Sequence, residues 1–343
     1  MIRFGPSGIP LSCKGRTLKD GIEDVHALGL TAMEVQLVRV NLGERYAKDE
    51  EVGLTPKEIE GELIVEISRR TGTKEEAVTS LDAKIMKGDV LYSLTSGLAK
   101  DYIELDALGD LARELDIELT LHTPYYMDLA GDGDLTLRSM DSLKWGALMA
   151  HQMGAGTVVT HVGLYGELTP RQTMNRVVKN LTELQGWIRK RKLKVKMGIE
   201  TSGRQEVFGD LKEVLKVCEK AKGVVPVLNF SHIHSRGNGS LRKKEDFQKI
   251  IDATKPLVKK HFHTHFSGVE HEGGNELRYT PIKRGDLKFE PLAECILDDN
   301  LDITVISSSP LLEHDAMYMK VILERVLSRK VGKTGKEKKE GKK

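Results

Sequence analysis

Residues 117–161 hold one complete strand–helix–strand unit. Ile117-Glu118-Leu119-Thr120-Leu121-His122 alternates like a half-buried strand, an amphipathic stretch covers 138–153, and Thr157-Val158-Val159-Thr160-His161 reads as the next strand. The same unit recurs along the chain. Further strands are predicted at 2–4, 33–38, 195–200, 225–230, 261–266 and 302–307, making eight. Helical patterns fall at 101–115, 170–191, 208–222, 243–255, 286–299 and 313–328. Eight alternating β and α segments predict an α/β protein with a (β/α)8 TIM barrel fold. A doubly wound open sheet is disfavoured, since no Gly-x-Gly-x-x-Gly follows the first strand.

One connection is too long for the pattern. About sixty residues, 41–100, separate the second strand from its helix. Thr55-Pro56-Lys57-Glu58 and Thr73-Lys74-Glu75-Glu76 both read as capping boxes, the first with proline at the first helical position. The segment is therefore expected to be a helical insertion lying over the C-terminal mouth of the barrel, available to a partner or a second subunit. It carries twelve acidic against nine basic residues.

Composition bounds the class. The 343 residues are 39% hydrophobic and 30% charged, enough for a sizeable core. No apolar run is long enough to span a bilayer, and the first residues lack a secretory apolar core, so no membrane partner is expected. Three distant cysteines suggest no disulfide framework, and the expected location is cytoplasmic. Net charge is +2, but residues 329–343 alone carry +6. The rest of the chain is mildly acidic, unlike a general nucleic-acid binder, and the basic tail is expected to be disordered.

Histidines mark the functional end. His122 closes the third predicted strand, His161 the fourth and Glu200 the fifth, while His232 and His234 follow the sixth. His261, His263 and His265 alternate along the seventh and should share one face. In isolation each is an ordinary hydrogen-bonded histidine. Four strands delivering nitrogen or oxygen ligands to one rim is the pattern of a divalent metal site, suited to zinc, manganese, iron or cobalt, with zinc expected first and manganese next. A buried carboxylate such as Glu200 would also be costly without a cation. His26, His151 and His314 fall in helical stretches and receive no role.

Four segments carry a resemblance: His122-Thr123-Pro124-Tyr125-Tyr126-Met127-Asp128-Leu129, His161-Val162-Gly163, Glu200-Thr201-Ser202-Gly203 and Asn229-Phe230-Ser231-His232. Together they resemble the endonuclease IV branch of the xylose-isomerase-like barrels, the second AP endonuclease family. That family cleaves DNA 5′ to abasic sites at a trinuclear zinc centre. The resemblance implies His122, His161 and Glu200 as ligands of a first metal, with Glu200 bridging to a second. It also implies His263 on the second metal and His232 on a third. It further implies damaged DNA as partner, cleavage by metal-hydroxide attack with Glu200 positioning the water, and Tyr125 lining the pocket.

The sequence departs from that branch at four places. Asn229 stands where a metal-binding aspartate is expected and offers only a carbonyl oxygen. Ser308 falls at the last bridging carboxylate, and Leu277 and Tyr279 replace an Asp-x-His pair. With Glu200 as the sole acid among the mapped positions, three divalent cations would be under-neutralised. One or two metals per chain are expected, the second using Glu200, His263 and either His265 or Asn229.

Three functions compete on this reading. The first is a metal-dependent phosphodiesterase on damaged DNA. The second is a single-metal sugar isomerase or epimerase, for which Glu34, Gln36, His261 and His265 would supply polar groups. The third is a metal-binding barrel without catalysis.

Overall fold

In the computed structural model, which describes residues 1–38, 40–78 and 80–340, eight parallel strands form a barrel. The elements run β1 (Ile2–Pro6), α1 (Leu18–Ala27), β2 (Ala32–Gln36), β3 (Asn41–Tyr46), β4 (Leu63–Thr71), β5 (Lys74–Val78), β6 (Val90–Thr95), α2 (Tyr102–Glu114), β7 (Glu118–His122), α3 (Asp134–Met153), β8 (Thr157–Thr160), α4 (Pro170–Lys190) and β9 (Lys196–Glu200). They continue with α5 (Leu211–Lys220), β10 (Val224–Asn229), α6 (Phe230–Arg236), α7 (Lys244–Val258), β11 (His261–Phe266), β12 (Gly268–Glu272), β13 (Asn275–Thr280), α8 (Glu290–Asp298), β14 (Asp302–Ser307) and α9 (Glu313–Glu340).

Strand order around the barrel is β1-β14-β11-β10-β9-β8-β7-β2. The seam between β1 and β2 closes at a parallel bridge from Ser7 to Glu34 and a 3.0 Å hydrogen bond from Thr31 N–H to Phe4 O. Gly5 permits that approach: a Cβ there would lie 1.7 Å from Ala32 O. All eight strands coincide with the predicted ones. Their alternating apolar residues, such as Leu119 and Leu121 or Ile303 and Val305, enter one core with the inner faces of the helices. No described helix is long and apolar enough to cross a membrane.

Residues 41–95 correct an expectation. They are not helical but form an antiparallel sheet in the order β3-β6-β4-β5. The capping signal at Thr55 is real, since Glu58 accepts from Thr55 N–H at 2.7 Å, yet it starts only a single 3-10 turn at Pro56–Glu58. No amphipathic repeat follows it; the β-branched run Leu63-Ile64-Val65-Glu66-Ile67 builds the central strand instead. At the second site Gly72, with φ +67, makes the hairpin between β4 and β5, so Thr73 continues a turn and caps nothing.

Nor does the sheet roof the mouth. Its Leu63, Val65 and Leu94 join the main core beside Tyr102 and Leu105 of α2, and Tyr102 O–H donates to Ile64 O at 3.1 Å. On its own side it buries Ile59, Ile64, Ile67, Ile85 and Leu91. It is a flank on the helical layer. Residues 329–340, expected to be a disordered tail, continue α9; no proline interrupts the stretch, and its six Lys/Arg and two Glu residues favour a helix despite Gly332 and Gly335. Residues 341–343 of that expectation lie outside the described residues.

Candidate metal centre

Each ligand-type residue sits where its strand ends. His122 is the last residue of β7, His161 follows β8 directly, Glu200 ends β9 and Asn229 ends β10. Because the strands are parallel and in register, these ends converge at one rim. Glu200 lies at the centre. Its Oε2 is 2.8 Å from His122 Nε2 and 3.5 Å from His161 Nε2. Its Oε1 accepts from Asn229 Nδ2 at 2.7 Å and lies 3.5 Å from His265 Nδ1.

Glu34 of β2 forms a second centre. Its Oε2 is 2.9 Å from His265 Nε2 and 3.3 Å from His263 Nε2, while its Oε1 accepts from Ser7 Oγ and Gln36 Nε2. Both carboxylates are fully buried. Burial would raise their pKa values, but the surrounding imidazoles outweigh it and hold both well below the usual carboxylate range.

The donor set fits a divalent metal. Thr123 O accepts from the Nδ1–H of His122 at 2.8 Å, so in the neutral ring the Nε2 lone pair faces Glu200 Oε2. Two acceptors at 2.8 Å require a proton or a cation between them. Burial drives His161 down to about 4, leaving its ring neutral and ready to ligate. Ligands about 2.1 Å from a tetrahedral metal stand ~3.4 Å apart, close to the spacings found. Ligand atoms of His122, His161 and Glu200 lie within 4.8 Å of one another, as do those of Glu34, His263 and His265.

Other expected ligands are placed differently. Asn229, expected to offer its carbonyl oxygen, turns that oxygen to the Ser231 and His232 N–H groups as the N-cap of α6. Its amide nitrogen faces the site, donating to Glu200 and to Tyr279 Oη at 2.8 Å. His232, expected on a third metal, donates Nδ1–H to Thr201 O at 2.5 Å and points Nε2 at Glu276 Oε2, 2.8 Å away, and at Tyr279 Oη, 2.6 Å away. Both ring nitrogens are engaged, and Tyr279 stacks on the ring. Ser308 Oγ touches His265 Nδ1 at 3.2 Å. His261 shares the face of His263 but sits at the opposite end of the barrel, held by Asp302 and Glu118.

Two acids revise the count that rested on Glu200 alone. Glu34 is one; Glu276, on the β12–β13 hairpin, was missed entirely. The signal was the Gly273-Gly274 turn between Val269-Glu270-His271-Glu272 and Asn275-Glu276-Leu277-Arg278-Tyr279, a hairpin that folds back over the rim. Leu277 points to solvent. A third cluster, His234, His271 and Asp286, lies outside this centre. His234 Nδ1 accepts from Leu241 N–H at 3.1 Å, so its Nε2–H donates to Asp286 and has no lone pair for a metal.

Beside the centre opens a cavity of about 610 Å³, bordered by His161, His232 and Glu276 and by Tyr125, Tyr126 and Arg204. Tyr125 packs edge-on against His161, 5.2 Å between ring centroids.

Residues 92–310 match the family described as xylose isomerase-like TIM barrel. A curated relative, the uncharacterized protein MJ0133 of Methanocaldococcus jannaschii, is 29% identical over 209 residues, 60% of this chain and 76% of that one. The fold superposes on endonuclease IV from Thermus thermophilus with TM-score 0.58 at 18% identity, covering 94% of this chain and 99% of that one. It superposes on L-ribulose 3-epimerase with TM-score 0.59 at 12% identity, covering 97% and 98%.

Proposed function

The chain belongs to the xylose isomerase-like TIM-barrel family, and from that premise we propose that it is a metal-dependent phosphodiesterase acting on abasic or otherwise damaged DNA. One observation carries this reading: His161, whose Nε2 faces Glu200 in the ligand set, borders a cavity whose lip is made by Tyr125 and Tyr126, 61% and 83% exposed. Exposed rings beside a buried ligand cluster suit unstacked bases, since aromatic side chains stack on any base face. A divalent metal bound there, zinc or manganese, would supply Lewis acidity toward a phosphoryl oxygen.

The remaining work falls to the chain. His122 and His161 would hold the metal through their imidazoles, and Glu200 would supply the neutralising charge. Arg204, on the cavity wall, would supply positive charge to a backbone phosphate bound there. Glu276 and His232 face each other across 2.8 Å at the cavity edge, and a proton held between them would be available to a phosphate ester bound there.

A second reading, a sugar epimerase, is favoured by one arrangement: two buried carboxylates, Glu34 and Glu200, on opposite sides of the His265 ring. Such a pair suits proton removal and return on a small polyol, and the epimerase neighbours share the fold. The deciding experiment incubates metal-loaded protein with a duplex carrying one abasic analogue and, separately, with a panel of ketoses and aldoses. Nicking that disappears in His122→Ala and Glu200→Ala supports the phosphodiesterase. Isomerised sugar without nicking overturns it.

A further inference from the structure

The barrel interior contains a carboxylate that the resemblance does not call for. Glu34 lies on β2, in register with Thr120 of β7, two residues before the Gln36–His122 pair that marks the rim. It therefore occupies the inward-facing layer beneath His122. Both Glu34 and Glu200 take their described hydrogen bonds and ion pairs from histidine, serine, glutamine and asparagine, never from lysine or arginine. Two ionised carboxylates in a dry interior need positive charge close by.

We propose that Glu34, His263 and His265 bind a second divalent cation in the layer below the first, with Glu34 replacing the acids absent at Asn229 and Ser308. Three observations carry it. First, the Nε2 atoms of His263 and His265 converge on one oxygen, Glu34 Oε2, at 3.3 and 2.9 Å, close to the ~3.4 Å edge of a tetrahedral site.

Second, His265 is oriented as a metal ligand should be. With Nε2 on the cation, its Nδ1–H points at Ser308 Oγ, 3.2 Å away, and toward Glu200 Oε1, 3.5 Å away. A carboxylate or hydroxyl behind a ligating imidazole fixes its tautomer and raises its basicity. The same ring thereby joins the two layers.

Third, polar atoms at this level are buried without partners. His263 Nδ1 and the Thr120 hydroxyl, beside Glu34 across the β2–β7 ladder, are both unsatisfied among the described residues. The unpartnered Thr120 oxygen gives that layer a further acceptor beside Glu34, whereas His263 Nδ1, on the side of its ring away from Glu34, would keep no partner with a cation on Nε2.

The inference does not depend on the substrate. Full-length protein stripped with chelator is dialysed against Mn²⁺, freed of loose metal and assayed for metal content. Wild type is expected to retain two equivalents per chain. Glu34→Gln should retain one, and His161→Ala, which touches only the upper set, should also retain one. A single wild-type equivalent, or two in folded Glu34→Gln, overturns the proposal.

Should Glu34→Gln fail to fold, Mn²⁺-soaked wild-type crystals decide. An anomalous peak between Glu34 Oε2 and the two Nε2 atoms supports the site; signal confined to the Glu200 set overturns it. Two bound ions with no nicking would refute the phosphodiesterase reading and leave this one standing.

Discussion

His122 Nε2 and Glu200 Oε2 stand 2.8 Å apart, 78 positions apart in sequence and both buried. The Nδ1–H of His122 is already committed to Thr123 O. The pair is therefore incomplete without a proton or a cation between its two acceptors, and most of the behaviour expected of this protein follows from that contact.

Glu200→Gln preserves the shape of the side chain and removes its charge. Metal affinity should fall by at least about 100-fold, more than the loss typical of a group behind a ligand. Competition with a chromophoric chelator measures it. Unchanged affinity would exclude Glu200 from the ligand set.

Without metal, stability should peak near pH 6.5, the ordinary imidazole value. Burial would lower the pKa of His122, but the Glu200 carboxylate outweighs it and lifts the value to about 9. A group raised on folding stabilises fully below its unfolded pKa of about 6.5, and that contribution is lost as pH rises through about 9. His161, pushed by burial down to about 4, works in the other direction: stability is lost as pH falls from about 6.5 toward 4. Each limb amounts to a few kcal/mol. Thermal midpoints in chelator across pH check this; His122→Gln should shrink the alkaline limb, to which the raised His232, His261 and His265 also contribute, more than it changes the acid limb.

Deleting residues 41–95 and joining the ends by a short turn should leave a folded, metal-binding barrel. Asn41 and Thr95 are paired neighbours, so the gap is narrow. The cost is the lost packing of Leu63, Val65 and Leu94 against α2, several kcal/mol for three buried side chains. A lowered midpoint with metal content unchanged is expected. Loss of metal binding in a folded deletion variant would place the sheet within the centre.

Gly5→Ala tests the barrel seam. The new methyl would enter the backbone of Ala32, which cannot yield without opening β1 from β2. Destabilisation well above ~3 kcal/mol, seen as loss of soluble protein, is expected. A stable Gly5→Ala variant would show that the seam is looser than the register indicates.

Removing both rings in Tyr125→Ala/Tyr126→Ala should weaken binding of an abasic duplex about tenfold, in line with one to two lost stacking contacts. Metal content should not change, because neither ring is in the ligand set. Fluorescence anisotropy with a labelled duplex measures the change; equal affinity would remove these residues from the DNA face.

What could be read in the sequence was local. Strand alternation, the β/α rhythm and a ligand-type residue at the end of β7, β8 and β9 depend on neighbours a few positions away, so His122, His161 and Glu200 were legible together. The insertion misled because its capping signal at Thr55 is equally local and holds for only one 3-10 turn, whereas sheet formation depends on pairing β3, β4 and β6 across many residues.

The sequence alone determined the barrel and the residue types at its rim, since a strand's faces follow from its own period. Closure of β1 on β2 and the hairpin over the rim decided the rest. They brought Glu34 against His263 and His265, set Glu276 and Tyr279 against His232, and turned the Asn229 oxygen to a helix N-terminus. Which side chains meet across a barrel depends on register and closure, and those are settled by packing the whole core rather than by any one segment.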